Sequence, residues 1–245
     1  MTVVAPPLAL TEAAVLLMDQ LLDEAVAEED VLQGWAEWCT GQFAVREAGV
    51  LLADGEGRLH VAAATASDVH ALQSLAATSG EGPGPGCFVS GSPVLLRDLR
   101  SAADRWPHYV RRADAMGIAA VGSVPLRRRA FGPVLGALNL FASEVNKPSE
   151  DGVGAAQTLA EAVAVALTKR RALEDSRRTI GQLEHALTSR IRIEQAKGML
   201  AERWRTDADA AFDRLRRYAR GQRVCLDEVC QAVTSRDPDK DPFAF

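Results

Sequence analysis

At 245 residues the chain has room for one large domain or two small ones, each able to bury a useful core. Hydrophobic residues make up 47% and charged residues 25%, an ordinary globular balance, and no apolar run approaches the length of a membrane-spanning helix. The formal net charge of −5 argues against indiscriminate nucleic-acid binding, and the first ten residues carry no basic residue or signal pattern, so a cytoplasmic location without membrane contact is expected.

In chain order, residues 1–10 with Pro6 and Pro7 read as a loose lead. Thr11 is expected to cap a helix reaching about Glu28, with Leu16, Leu17, Leu21, Leu22 and Val26 on its apolar side. Asp30 is expected to cap a second helix, with Val31, Leu32, Trp35, Trp38 and Cys39 inward and the tryptophans packed on a sheet. Residues 48–53 and 58–64 form a hairpin pattern across the Gly-rich turn 54–57. Residues 67–78 read as helix, and 80–86, with Pro83 and Pro85 among glycines, as irregular chain. A short strand at 93–97, a helix at 102–116 and strands at 119–126 and 134–142 follow, the last two joined by Arg127, Arg128, Arg129, Gly132 and Pro133.

From Ser149 a long helix is predicted. Leu159, Ala166, Leu173, Ile180 and Leu187 recur every seven residues, beside a mixed seam of Val163, Arg170, Arg177, Glu184 and Ile191. That stripe fits a modest parallel coiled coil, with Leu159, Val163, Ala166, Leu173, Ile180 and Leu187 as the dimer seam, or a helix packed on its own domain. Further on, Ile193, Ala196 and Leu200 mark one buried face. Gly198 interrupts it at a cost of about 1 kcal/mol relative to Ala, so a close approach by a neighbouring helix or backbone is expected there. Thr206 reads as the cap of the next helix, with Ala208, Ala211, Phe212, Leu215 and Ala219 inward and Arg214, Arg216, Arg217, Tyr218 and Arg220 around them. Gly221 reads as its stop, and a third helix buries Leu226, Val229 and Val233. Residues 183–236 hold eleven Lys/Arg and eight Asp/Glu, a net of +3, which leaves −8 for the rest. A basic module on an acidic carrier is what local RNA binding would look like.

The run of Ile193, Glu194, Gln195, Ala196, Lys197, Gly198, Met199 and Leu200, followed by Ala211-Phe212, Leu215-Arg216, Tyr218-Ala219-Arg220, Leu226 and Val229, resembles the ANTAR domain. The resemblance covers roughly residues 185–236 and implies RNA binding and transcription antitermination. Cys230 stands where that family usually has Ala. Upstream, Gly80-Glu81-Gly82-Pro83, Gly91, Pro93-Val94, Asp98-Leu99, Arg105-Trp106-Pro107, Gly117, Pro125-Leu126 and Gly136-Ala137-Leu138-Asn139-Leu140 resemble a GAF domain. That resemblance implies an antiparallel sheet with helices on one side and a pocket on the other.

The expected fold class is therefore α+β: a helix at 1–29, a GAF sensor domain at 30–148, a coiled-coil-like connecting and dimerisation helix at 149–189, a three-helix ANTAR unit at 190–236 and a flexible tail at 237–245. Expected partners are RNA as paired stem-loops, a second copy of the chain, and a small ligand of unidentified class in the GAF pocket. Expected RNA contacts are Arg190, Arg192, Gln195, Lys197, Gly198, Arg214, Arg217, Tyr218 and Arg220, where planar guanidinium groups bond bidentately and Tyr218 stacks on a base. The alternative is a ligand sensor that acts through protein partners instead of RNA.

No enzyme is expected. The prolines of 82–86 remove donors that a phosphate loop needs, and no nucleotide, zinc-protease or nucleophile-elbow motif occurs. His60, His70, His108 and His185 are scattered, and Asp98 with Arg105 reads as a structural ion pair. Cys39, Cys87, Cys225 and Cys230 form no C-x-x-C or metal-ligand spacing and read as small buried residues. Some GAF proteins reduce free methionine sulfoxide, which needs an activated thiolate and a resolving thiol; here only Cys39 and Cys87 lie in that domain, and Cys39 is expected to face the core. No cofactor or metal is expected.

Overall fold

The computed structural model describes residues 7–23, 25–128, 132–235, 237 and 239–243. The chain divides into two compact units, residues 1–172 and 173–245. The loose lead expected before Pro7, and Arg129 of the Arg-rich link, fall outside the described residues.

In the first unit a five-stranded antiparallel sheet has the order β2-β1-β5-β4-β3. Its strands are β1 (Glu47–Ala53), β2 (Leu59–Ala64), β3 (Val94–Leu96), β4 (Ala120–Arg127) and β5 (Val134–Ala142). Strand alternation divides the core in two. Leu138, Leu140 and Ala142 of β5, with Ala120, Val124 and Leu126 of β4, point to one face. There they meet α1 (Pro7–Leu22), α2 (Glu28–Gln42) and the first part of α6 (Glu150–Trp204). Phe141 and Val121 point to the other face, against α3 (Ser67–Ser79), α5 (Pro107–Ala115) and the short 3-10 turn Leu99–Ala102.

Helix α6 is seated through small side chains. Ala156, Ala160, Ala164 and Ala166 are fully buried beside Leu159, Val163 and Leu167. Close packing also fixes Gly122 of β4, where a Cβ would lie 2.8 Å from Pro148 Cγ just ahead of the helix. Arg170 then holds the end of α1. Its Nη1 donates to the carbonyls of Leu21 (3.2 Å), Asp23 (3.3 Å) and Val26 (3.0 Å), groups that a helix terminus leaves without partners.

Several sequence expectations shift by a turn. Helix α1 begins at Pro7, so Thr11 lies inside it; α2 begins at Glu28 after Ala27, so Asp30 sits in its first turn beside Glu28 and Glu29, where the helix dipole favours carboxylates. Residues 80–86 are not wholly irregular, because Pro83–Ser90 form helix α4. Its prolines occupy the first turn, where N–H groups have no intrahelical acceptor and the fixed φ of proline suits the helix. The helix expected at 102–116 starts only at Pro107, for the same reason.

The second unit contains the last part of α6, α7 (Ala208–Gln222) and α8 (Leu226–Thr234). Ala196, Leu200, Ala211, Leu215, Ala219, Val229, Cys230 and Val233 form its core. Asp207, not Thr206, caps α7: its carboxylate accepts from the Ala210 N–H at 2.7 Å. Gly221 stays helical, and Arg223, in the left-handed region at φ 58°, ends α7 instead.

Candidate functional site

The basic three-helix unit sorts the expected RNA contacts into three groups. Arg190, Gln195, Gly198, Arg217 and Arg220 are exposed. Arg217 spends one donor on the Asp213 carbonyl (3.3 Å). The second group is engaged within the unit. Arg192 forms an ion pair with Asp227, which fastens the start of α8 to α6. Lys197 is mostly buried; its ammonium donates to both Glu194 oxygens (3.1 and 2.9 Å) and stands 5.4 Å from the Phe212 ring centre. The third group is aromatic. Arg214 lies 5.0 Å from the centre of the Trp204 ring, and Tyr218, half-buried, meets Phe243 edge-on at 4.9 Å. Trp204 meets the same Phe243 at 5.2 Å. On α7, Arg214 and Tyr218 share one flank at a spacing of four, while Phe212 and Arg216 share another.

Gly198 has no atom within 4 Å of where its Cβ would stand. The close approach expected of it is thus not made by any of the described residues. Within the tail, Asp237 and residues 239–243 lie against the unit, with Asp241 buried and Phe243 among the apolar residues packed on its core. Residues 238, 244 and 245 fall outside the described residues. Neither Trp204 nor Phe243 was singled out from the sequence, and both signals were aromatics at the unit's edges.

The expected dimer seam divides. Leu159, Val163 and Ala166 are buried in the first unit's own core, so the packed-helix alternative holds for that stretch. Leu173, Ile180 and Leu187 are exposed, and so are Leu183 (65%) and Ile191 (50%) on the same helix. Every residue from 172 to 188 is exposed. Among the described residues nothing covers the apolar stripe there.

In the first unit, the sheet face expected to hold an open pocket is covered by α3, α4 and α5. Ser123 Oγ donates to Asn139 Oδ1 (2.7 Å), Asn139 Nδ2 to Gln73 Oε1 (2.9 Å), and Gln73 Nε2 to the Ala63 carbonyl (3.1 Å). All three side chains are buried. Helix α4 lies close over this chain of bonds, since a Cβ on Gly84 would be 2.7 Å from Asn139 Oδ1. A cavity of about 290 Å³ lies elsewhere, between α1 and α2, lined by Leu16, Leu17, Val26, Trp35 and Trp38 among others. The buried Trp35 indole N–H has no partner among the described residues.

The three buried cysteines are not activated. Cys39 and Cys87 are buried, and burial pushes both thiols up, Cys87 to about 12. Cys230 is raised by burial to about 11. Asp98 caps the Leu99–Ala102 turn through the Arg100 N–H (3.0 Å), whereas Arg105 stacks over Trp106 at 4.5 Å, so the expected pair is not made. Among the described residues no cluster of His, Cys, Asp and Glu could hold a metal ion, and no helix is long and apolar enough to cross a membrane.

A family model described as GAF domain matches residues 25–168, more than half of the chain, and one described as ANTAR domain matches residues 181–233. Among solved structures, the GAF domain of an Acinetobacter phosphoenolpyruvate-protein phosphotransferase is 14% identical with a TM-score of 0.51, covering 68% of this chain and 98% of that one. A free methionine-R-sulfoxide reductase from Neisseria meningitidis, solved with its substrate, is 17% identical with a TM-score of 0.51, covering 69% and 95%. The phycoerythrobilin-bound GAF domain of a cyanobacterial phytochrome is 16% identical with a TM-score of 0.51, covering 67% and 97%. At such identities the likeness shows the fold alone. No curated protein matches the chain.

Proposed function

From the premise that this chain belongs to the GAF domain family and carries an ANTAR domain, we propose that it is a cytoplasmic dimeric antitermination regulator that grips paired RNA hairpins under the control of its GAF unit. The coarser part follows from the domains: GAF is a sensor domain, and ANTAR is an RNA-binding antitermination regulator domain. The observation that carries the finer reading is the uncovered helix at 172–188 with its stripe of Leu173, Ile180, Leu183 and Leu187, continued by Ile191. A lone helix of that kind is poorly stable in water, and a second copy packed along the stripe would cover it. Two copies would present two basic units, and holding two hairpins at once raises affinity through effective concentration.

Arg190, Arg217 and Arg220 are the exposed groups best placed to reach phosphates, and Gln195 and Gly198 leave an open helix surface beside them. Arg192 is assigned to holding α8 and not to RNA. A ligand for the GAF unit would enter the α1–α2 cavity, whose mainly apolar walls, with Gln20 and Asp30 among them, suit a largely apolar molecule bearing a polar group.

The test is equilibrium binding to an RNA with two adjacent hairpins, against the same RNA with one loop scrambled, over a salt series. Tight binding that needs both loops is expected. Equal binding to both RNAs would remove the paired-hairpin reading. Capture of proteins with no RNA affinity would favour a sensor that works through protein partners.

A further inference from the structure

Asp237 and residues 239–243 carry three aspartates and one aromatic ring, and they dock on the aromatic flank of the basic unit. Asp241 is the anchor. Its side chain is 4% exposed, and its carboxylate accepts from Arg203 Nη1 at 2.8 Å and from the Phe243 N–H at 2.9 Å. Arg203 Nη1 donates also to the Phe243 carbonyl at 3.1 Å. The turn is closed by Asp237, whose carbonyl accepts from the N–H groups of Asp241 (2.9 Å) and Lys240 (3.1 Å) and whose carboxylate pairs with Lys240 at 3.0 Å. That scaffold sets the Phe243 ring edge-on against both Tyr218 and Trp204, next to the Arg214 guanidinium.

The chemistry of the docked segment parallels that of a nucleic-acid strand: anionic groups along a backbone, then a flat apolar ring. A base reaching this flank would use the same surfaces, a ring face of Tyr218 or Trp204 and the charge of Arg214. We infer that the docked residues 239–243 are an internal competitor of RNA, which must leave Tyr218 and Trp204 before a loop base can stack there. This rests on the RNA-binding reading above. A site masked about nine-tenths of the time has an apparent affinity about tenfold weaker than its intrinsic one. The segment therefore raises the threshold for RNA engagement without any change in the core of the unit.

The test uses the full chain with Phe243→Ala and, separately, Asp241→Asn. Binding to the two-hairpin RNA is measured for each, together with hydrogen exchange of the Asp241 and Phe243 amides with and without RNA. Both variants are expected to bind about tenfold more tightly than the parent, and RNA is expected to deprotect the two amides in the parent. Phe243→Ala alters no charge, so its gain would not be a general electrostatic effect. Parent-like or weaker binding by both variants, or amides that stay protected with RNA bound, would overturn the inference alone and make the segment part of the folded unit. Absence of RNA binding by parent and variants alike would overturn the RNA reading and this inference with it.

Discussion

Glu81 shows how one side chain in the Gly-rich segment serves a remote element. Its carboxylate accepts from the N–H groups of His108 (2.9 Å) and Tyr109 (3.0 Å) and meets His108 Nδ1 at 2.8 Å, so it caps α5 from outside the helix. The His108 side-chain bond, followed by the Tyr109 N–H, holds the Glu81 carboxyl below the ordinary carboxylate range. A folded-state value below the unfolded one gives stability that is present at neutral pH and lost as pH falls through the folded value. Urea midpoints from about pH 6 down to about pH 3 should fall more steeply for the parent than for Glu81→Gln, where no carboxylate remains to be protonated; parallel curves would remove this role. Gly198 lends itself to a two-sided test. With space for a Cβ, Gly198→Ala should raise stability by about 0.5–1 kcal/mol and yet weaken RNA binding if the approach is to RNA. A gain in stability with unchanged binding would take Gly198 out of the interface. Thiol reactivity is the third residue-scale check: Cys225 is exposed and the other three are buried, so one fast thiol is expected in the native protein and four after unfolding.

At the scale of elements, the strands and α6 to α8 could be read from the sequence to within a residue or two. Near-continuous apolar runs in β4 and β5, buried on both faces, and helical spacing in α7 are local signals tied to burial. The failures have a common cause. Pro83 was read as part of an irregular segment and Pro107 as the interior of a helix, but proline is at home in a first helical turn and both helices begin there. The heptad through Leu159 and Leu187 was read as one seam because period alone cannot tell a helix packed on its own sheet from one packed on a copy. Arg170 is the residue that marks the change: it ties α1 down where the buried stretch of α6 ends. Leu183→Glu with Leu187→Glu should therefore lower the mass in sedimentation and leave the first unit folded. An unchanged mass would rule this stripe out as the contact.

For the whole molecule, charge was the most legible property and the site the least. The split between +3 over residues 183–236 and −8 elsewhere foresaw a basic unit on an acidic carrier, and the exposed Arg190, Arg217 and Arg220 lie there. Which of the basic groups were already engaged was not legible, since Lys197 with Glu194, Arg192 with Asp227 and Arg203 with Asp241 depend on tertiary pairing. Removing Arg217 or Arg220 should lower the slope of log affinity against log salt by about 0.7 per contact with single-stranded RNA, and removing Arg192 should lower thermal stability instead.

The alanine seat of α6 has a consequence for how this sequence can vary. With Ala156, Ala160, Ala164 and Ala166 fully buried against the first unit's core, any larger side chain must displace a helix, and a glycine would loosen it. Random variation therefore has almost no neutral direction over this stretch. A few residues later, Asp175, Ser176, Arg178 and Thr179 are exposed and apart from the apolar stripe, and exchange there should cost little. One helix thus joins tightly constrained and tolerant ground, and a saturating substitution scan should show the boundary near Arg170.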